Sequence, residues 1–214
     1  MKGCRHEADD RLPPNRDLAG GERQLRLALS RDEYDNDKPS SESGALSYRG
    51  SPPKRSIMHS HMNSPTGQKR VYLDVCALCR PFDDQSLVRI RLETIAIELI
   101  LDHVRQREIE MIVSPAHAVE IEAIVDLEER RQLISLIEQL GTPPRFDLSA
   151  ARKRAEYLAD HGLGVADAAH LAFAEQAQAD LITVDDRLIK RSKRVRSAIW
   201  CDTPPAYCEK ESLR

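Results

Sequence analysis

The sequence predicts an α/β fold: a three-layer α/β/α sandwich around a central, mainly parallel sheet. Three observations carry that prediction. Composition shifts abruptly near residue 70; beyond it, strand-like apolar runs alternate with helix-period segments; and the joints carry capping and breaking residues such as Ser114, Pro115, Gly141, Gly162 and Gly164.

Before Val71 there is no Val, Phe or Trp and a single Ile, Ile57, yet six of the nine Gly and six of the twelve Pro lie there. Such a segment buries too little apolar area to offset backbone ordering, roughly 1–2 kcal/mol per residue. Residues 1–69 are therefore expected to be a largely disordered leader. Within it, residues 22–30 with Leu25, Leu27 and Leu29 suggest a helical turn or partner-binding segment, too short to stand alone in water. A start at Met58 or Met62 would make the leader a product of start-site assignment.

Residues 70–74 (RVYLD) read as the first strand. A long helix is expected over 85–107, because Ile90, Ile97, Leu101 and Val104 recur on one face and Leu92, Ile95 and Leu99 widen it. Residues 110–113 (EMIV) form the second strand. Ser114 then caps a helix through Glu120 with Pro115 at its first position, where the missing N–H costs nothing. Residues 127–140 form another helix, ended by Gly141, and 145–148 a short strand or extended segment. Ser149 caps a helix to His161 that Gly162 and Gly164 terminate. An Ala-rich helix over 165–178, a strand over 180–184 (DLITV) and a last strand over 198–201 (AIWC) complete the pattern, with no internal repeat.

Composition excludes several classes. The most apolar run, 95–101, is short and carries Glu98, so a membrane-spanning protein is ruled out at this stage. Residues 1–10 are polar and acidic where an export signal would need an apolar core, which implies a cytoplasmic protein. Five cysteines, Cys4, Cys76, Cys79, Cys201 and Cys208, are expected as free thiols. Cys76 and Cys79 form C-x-x-C, but a zinc site would need Cys201 and Cys208 beside them, at an uncommon spacing.

In a parallel α/β sheet, ligands collect beyond the carboxyl ends of the strands. Asp74 closes the first strand and Asp185 follows the strand ending at Val184; Glu120 and Asp167 lie in early turns of helices that begin above the same edge. Four acids on one rim repel each other, and a hard divalent cation such as Mg²⁺ or Mn²⁺ resolves that repulsion. Such a site suits phosphodiester hydrolysis, since the metal lowers the pKa of a water and neutralises charge growing on phosphate. Each acid also has a plainer reading: Asp167 as an anion at a helix start, Glu120 as a solvated helix residue, Asp185 as an N-cap. Asp74 is hardest to dismiss, because an acid directly after a buried strand needs a partner. His170, three residues after Asp167, is expected to pack or to support the acids from behind.

Residues 187–196 (RLIKRSKRVR) hold six cations in ten, while residues 71–214 as a whole carry 19 basic and 25 acidic side chains. Arg187, Lys190, Arg191, Lys193 and Arg194 are thus candidates for phosphate binding, with a solvated helix as the competing reading. Base stacking has little support, with only Phe82, Phe146, Phe173, Trp200 and a few Tyr in this region.

The strand VYLD ending in Asp74, SPAHAVEIE with Glu120, VADAAHLAFA with Asp167 and LITVDDRL with Asp185 together resemble the PIN domain nucleases over about residues 71–205. The most specific part is an acid before HLA followed, eighteen residues on, by an acid after a strand. The resemblance implies a PIN-like domain over 70–205 with a tail over 206–214, and a Mg²⁺- or Mn²⁺-dependent endoribonuclease leaving a 5′-phosphate and a 3′-hydroxyl. It implies one or two ions held by Asp74, Glu120, Asp167 and Asp185; Asp74 and Asp167 are the leading candidates for direct ligation, with Glu120 and Asp185 acting directly or through water. Such nucleases are often the toxin of a toxin–antitoxin pair, so RNA, an antitoxin protein and a second copy are the expected partners.

Thr183 fits the family's hydroxyl near the fourth acid and is expected at the substrate. Asp186 is an alternative to Asp185, which comes first off the strand and is preferred. Cys76 departs from the pattern, standing where a small hydroxyl or amide residue is usual. That departure motivates the alternative of a catalytically impaired module that binds RNA or a partner protein. A phosphoacceptor receiver domain fits less well, for no strand before Asp147 or Asp167 presents an acceptor.

Overall fold

The computed structural model describes residues 67–214. The expectations for the leader, its 22–30 segment and the alternative starts lie outside the described residues. Strand β1 (Lys69–Leu73) leads through a one-turn helix α1 (Val75–Leu78) and a 3-10 turn (Arg80–Phe82) into α2 (Val88–Arg105). There follow β2 (Ile109–Ile112), α3 (Pro115–Glu122), α4 (Leu127–Leu140), β3 (Gly141–Thr142), α5 (Leu148–Asp160) and α6 (Val165–Ala177). The described chain ends with β4 (Asp180–Ile182), α7 (Asp186–Arg194), β5 (Cys201–Asp202) and α8 (Pro204–Glu211).

The five strands pair in the order β3-β2-β1-β4-β5, every pair parallel. Successive side chains of a strand point to opposite faces, and β1 is buried on both. Val71 and Leu73 join a core with Ile97, Ile100 and Leu101 of α2 and Tyr207 of α8. Tyr72 faces the other way, into a core with Leu158 of α5 and Leu171 and Phe173 of α6. That alternation produces the three expected layers. Chain order reverses across β1, with β2 on one side and β4 on the other, so the carboxyl ends of β1 and β4 flank a topological switch point.

Several elements differ from the sequence expectation. Helix α2 is shorter than expected, and Leu92 and Ile95 are each 55% exposed while Glu93 is buried. The reason is an ion cluster: Glu93 sits 2.7 Å from Arg80 Nε and 2.8 Å from Arg89 Nε, which turns its face of the helix inward. Asp147, not Ser149, caps α5, accepting from Ala150 N at 3.0 Å. The last strand begins at Cys201, later than expected. Helix α8 was not expected; Thr203 caps it, Pro204 fits its first turn, and the buried Tyr207 ring lies 5.8 Å from that of Trp200.

No strand forms at 145–148: the short strand lies at Gly141–Thr142, pairing with Met111 and Ile112, and residues 143–147 run to α5 outside any helix or strand. Gly141 ends α4 as anticipated, but through space rather than conformational freedom, since its backbone is extended at φ −77°. A Cβ there would meet Ile137 O at 2.4 Å and Val113 Cγ1 at 2.5 Å. Gly141→Ala should therefore destabilise the domain by about 1–3 kcal/mol through overpacking, read as a lower midpoint in urea denaturation.

Candidate active site

Asp74 stands at the end of β1 and is 4% exposed. Its backbone N–H extends the β1–β4 pairing by donating to Ile182 O at 3.1 Å, and its Oδ1 caps α1 by accepting from Ala77 N at 2.8 Å. Burial pushes its pKa up from 3.8 to about 6, against the opposing pull of His170 and a hydrogen bond from the Thr183 hydroxyl. Thr183 itself is fully buried, and its Oγ1 accepts from Asp185 N at 3.0 Å. The expectation that Thr183 meets substrate is thus corrected: it lies beneath the rim and ties two acids together.

Asp185 caps α7, its Oδ1 accepting from Arg187 N at 2.7 Å, so the N-cap reading describes its geometry. Asp186 is committed elsewhere, bound by both terminal nitrogens of Arg89 at 2.9 Å. Asp167 lies in the first turn of α6, where burial and the neighbouring Asp185 raise its pKa. Gly164 leaves room for it, since a Cβ there would stand 3.2 Å from Asp167 Oδ2. Arg191 Nη1 approaches the same oxygen only to 3.9 Å.

Glu120, on α3, is 3% exposed rather than solvated, and its Oε2 accepts from His170 Nε2 at 2.9 Å. Burial raises the Glu120 pKa, but the adjacent His170 outweighs it and holds the carboxyl below its usual range. Burial in turn lowers the pKa of His170, and Glu120 more than restores it. Both shifts favour the ionised forms of the two groups. His170 Nδ1 lies 2.7 Å from Tyr72 Oη, and Tyr72 Oη 2.6 Å from Ser114 Oγ. His117 completes the group: it accepts from Ser114 N at Nδ1 (3.1 Å) and, in the tautomer those partners assign, donates from Nε2 to Leu73 O (2.8 Å). Burial and the charge on His170 push the His117 pKa down to about 3, so it is neutral.

Sequence reasoning did not find the roles of Tyr72, Ser114 and His117 in this network. One signal was present: His117 occupies the third position after the Ser114 cap, where a capping box places a side chain that reaches back to the cap N–H.

The rim brings Asp74, Glu120, Asp167 and Asp185 into one electrostatic neighbourhood, with Asp74 coupled to Glu120, Asp167 to Glu120, and Asp167 to Asp185. Among the described residues, no three His, Cys, Asp or Glu side chains stand close enough to form a preassembled metal cluster. The donor chemistry nevertheless fits Mg²⁺ or Mn²⁺. All four donors are hard oxygens, burial leaves Asp74 and Asp167 short of counter-charge, and Mg²⁺ retains several waters beside one or two carboxylates. Cys76 does not fit such an ion, because burial and then Asp74 push its thiol pKa well up and keep it protonated. A four-cysteine site is ruled out as well, since Cys201 lies in the core on one sheet face and Cys76, Cys79 and Cys208 pack on the other.

Helix α7 continues the rim. Leu188, Ile189 and Ser192 face inward, and Arg187, Lys190, Lys193 and Arg194 are exposed. Lys193 is engaged by Asp202 at 3.0 Å, which leaves Arg187, Lys190 and Arg194 along one face at helical spacing.

The pKa of Asp74 has a consequence for stability. A folded-state pKa raised from 3.8 to about 6 adds stability that is complete below pH 3.8 and lost as pH rises through about 6. In metal-free protein, Asp74→Asn should keep the α1 cap and exceed the wild type by about 3 kcal/mol above pH 7, converging with it below pH ~4. Thermal melts in chelator at both pH values measure the difference.

Comparison with curated proteins and with solved structures gives no match. The family model for the PIN domain matches residues 71–194, a span running from β1 to the end of α7 and taking in all four acids and the basic helix face. That span exceeds half of the chain, so the chain belongs to the PIN domain family, a family of generally metal-dependent nucleases.

Proposed function

We propose that this PIN domain is a Mg²⁺- or Mn²⁺-dependent endoribonuclease that hydrolyses RNA phosphodiester bonds. The observation that carries the reading is Asp74, a buried carboxyl at the switch point of the sheet that forms no ion pair among the described residues. A buried carboxylate without a cation is costly, and a divalent ion is the counter-charge its position suits. In this reading Asp74, Asp167, Glu120 and Asp185 hold the ion. Once bound, such an ion lowers the pKa of a water and offsets charge developing on the scissile phosphate.

The remaining work falls to the chain itself. Thr183 holds Asp74 and Asp185 in register through its hydroxyl. Gly164 gives the Asp167 carboxylate its space. The exposed cations Arg187, Lys190 and Arg194 bind the phosphates of the strand leading to the rim, an electrostatic contact that carries no base specificity. From the resemblance, the products are a 5′-phosphate and a 3′-hydroxyl.

Purified protein incubated with assorted RNAs should cleave in Mn²⁺ and not in chelator. Asp74→Asn should lose at least ~100-fold of that activity while remaining folded; undiminished cleavage by the variant would overturn the site. RNA retention without cleavage in any divalent ion would instead support the impaired binding module.

Replacing Arg187 and Arg194 by Ala should weaken RNA binding across sequences. The log–log salt slope should fall by about one for each cation removed, as measured by fluorescence anisotropy at graded salt.

The reading extends to the toxin of a toxin–antitoxin pair. The neighbouring reading frame should then encode a short DNA-binding protein, and expression of the nuclease without it should arrest growth.

A further inference from the structure

We propose that His170 is a positioning residue for this nuclease: with its ring fixed by Tyr72, it takes one oxygen of Glu120 and so decides which oxygen is presented to the metal. The inference rests on the metal-dependent reading above and adds to it a device outside the four acids.

The geometry is a continuous buried chain. His117 is anchored on the carbonyl of Leu73, the residue before Asp74, and its other ring nitrogen receives the Ser114 N–H. Ser114 Oγ meets Tyr72 Oη at 2.6 Å, Tyr72 Oη meets His170 Nδ1 at 2.7 Å, and His170 Nε2 meets Glu120 Oε2 at 2.9 Å. Tyr72, His117, His170 and Glu120 are all 3% exposed or less. Ring packing reinforces the order, with the Tyr72, His117 and His170 centroids 4.5–5.5 Å apart. Both nitrogens of His170 are engaged, so the imidazole has one orientation available to it.

Glu120 is the acid that needs such support. The three aspartates have short side chains, and Asp74 and Asp185 are already held by backbone N–H groups. Glu120 has one more rotatable bond than an aspartate, and its headgroup is hydrogen-bonded at Oε2 by His170. Ordering a free Glu side chain costs rotamer entropy. His170 meets that cost before any ion arrives and leaves Oε1 as the oxygen to ligate. The span is long-range, joining β1, the Ser114 cap, α3 and α6 into one support.

The test is equilibrium Mn²⁺ binding to the full chain, followed by the electron paramagnetic resonance signal of free Mn²⁺, alongside the kcat and KM of RNA cleavage. His170→Ala should weaken Mn²⁺ by about 10–100-fold and lower kcat, with KM for RNA unchanged. Tyr72→Phe keeps the packing and removes the hydroxyl, so it should shift both in the same direction by a smaller factor. His170→Gln retains an amide donor and should restore part of the loss. Asp74→Asn serves as the reference for the underlying reading. If His170→Ala and Tyr72→Phe bind Mn²⁺ as the wild type does while Asp74→Asn does not, the positioning role is overturned and the metal site stands. If the wild type binds no Mn²⁺, both fall. Should His170→Ala not fold, the comparison of Tyr72→Phe with wild type decides alone.

Discussion

The interaction on which the structure depends is the hydrogen-bonded closure of β4 against the end of β1. Asp74 donates its N–H to Ile182 and accepts at Oδ1 from Ala77, while Thr183, one residue past Ile182, reaches both Asp74 and Asp185. A carboxyl that burial would otherwise expel is thereby fixed at the seam where strand order reverses. Everything else about the rim is an arrangement around that seam. Helices α3 and α7 begin above it because each follows directly on a parallel strand, and α6 because it must run back to the start of β4.

The four acids differ in how they meet the cost of crowding. Glu120 has a buried hydrogen-bond partner in His170, Asp185 has the start of α7, and Asp186 is taken away altogether by Arg89. Asp74 and Asp167 lack an equivalent close partner, and burial raises the pKa of both. An ion would therefore gain most from those two. The Arg80, Glu93, Arg89 and Asp186 cluster serves this division as well, since it locks the start of α7 to α2 and keeps one acid out of the rim.

What could be read from the sequence was local. Strand runs ending in Asp74 and preceding Asp185, the Ser114–Pro115 start of α3 and the Gly141 stop all follow from patterns within a few residues. The four acids were legible because parallel topology converts positions at strand ends and helix starts into a shared edge. The Tyr72–Ser114–His117–His170 network was not, because the links from Tyr72 join residues 42 and 98 positions apart, and only the Ser114–His117 capping box has a local signature. Glu93 misled the reading of α2 for a related reason: a charged residue counts as outward until its partners, Arg80 and Arg89, are known. Thr183 was recognised as important, yet its burial assigns it to the foundation of the rim rather than to its surface.

The bond from Ala77 N to Asp74 Oδ1 makes side-chain length as binding a requirement at position 74 as charge. A glutamate would preserve the negative charge and the acid–base chemistry, but one added methylene carries the carboxylate past the amide it caps, at a position only 4% exposed. Drift at this position is thus confined to short acceptors, and acidity alone does not make two residues interchangeable there.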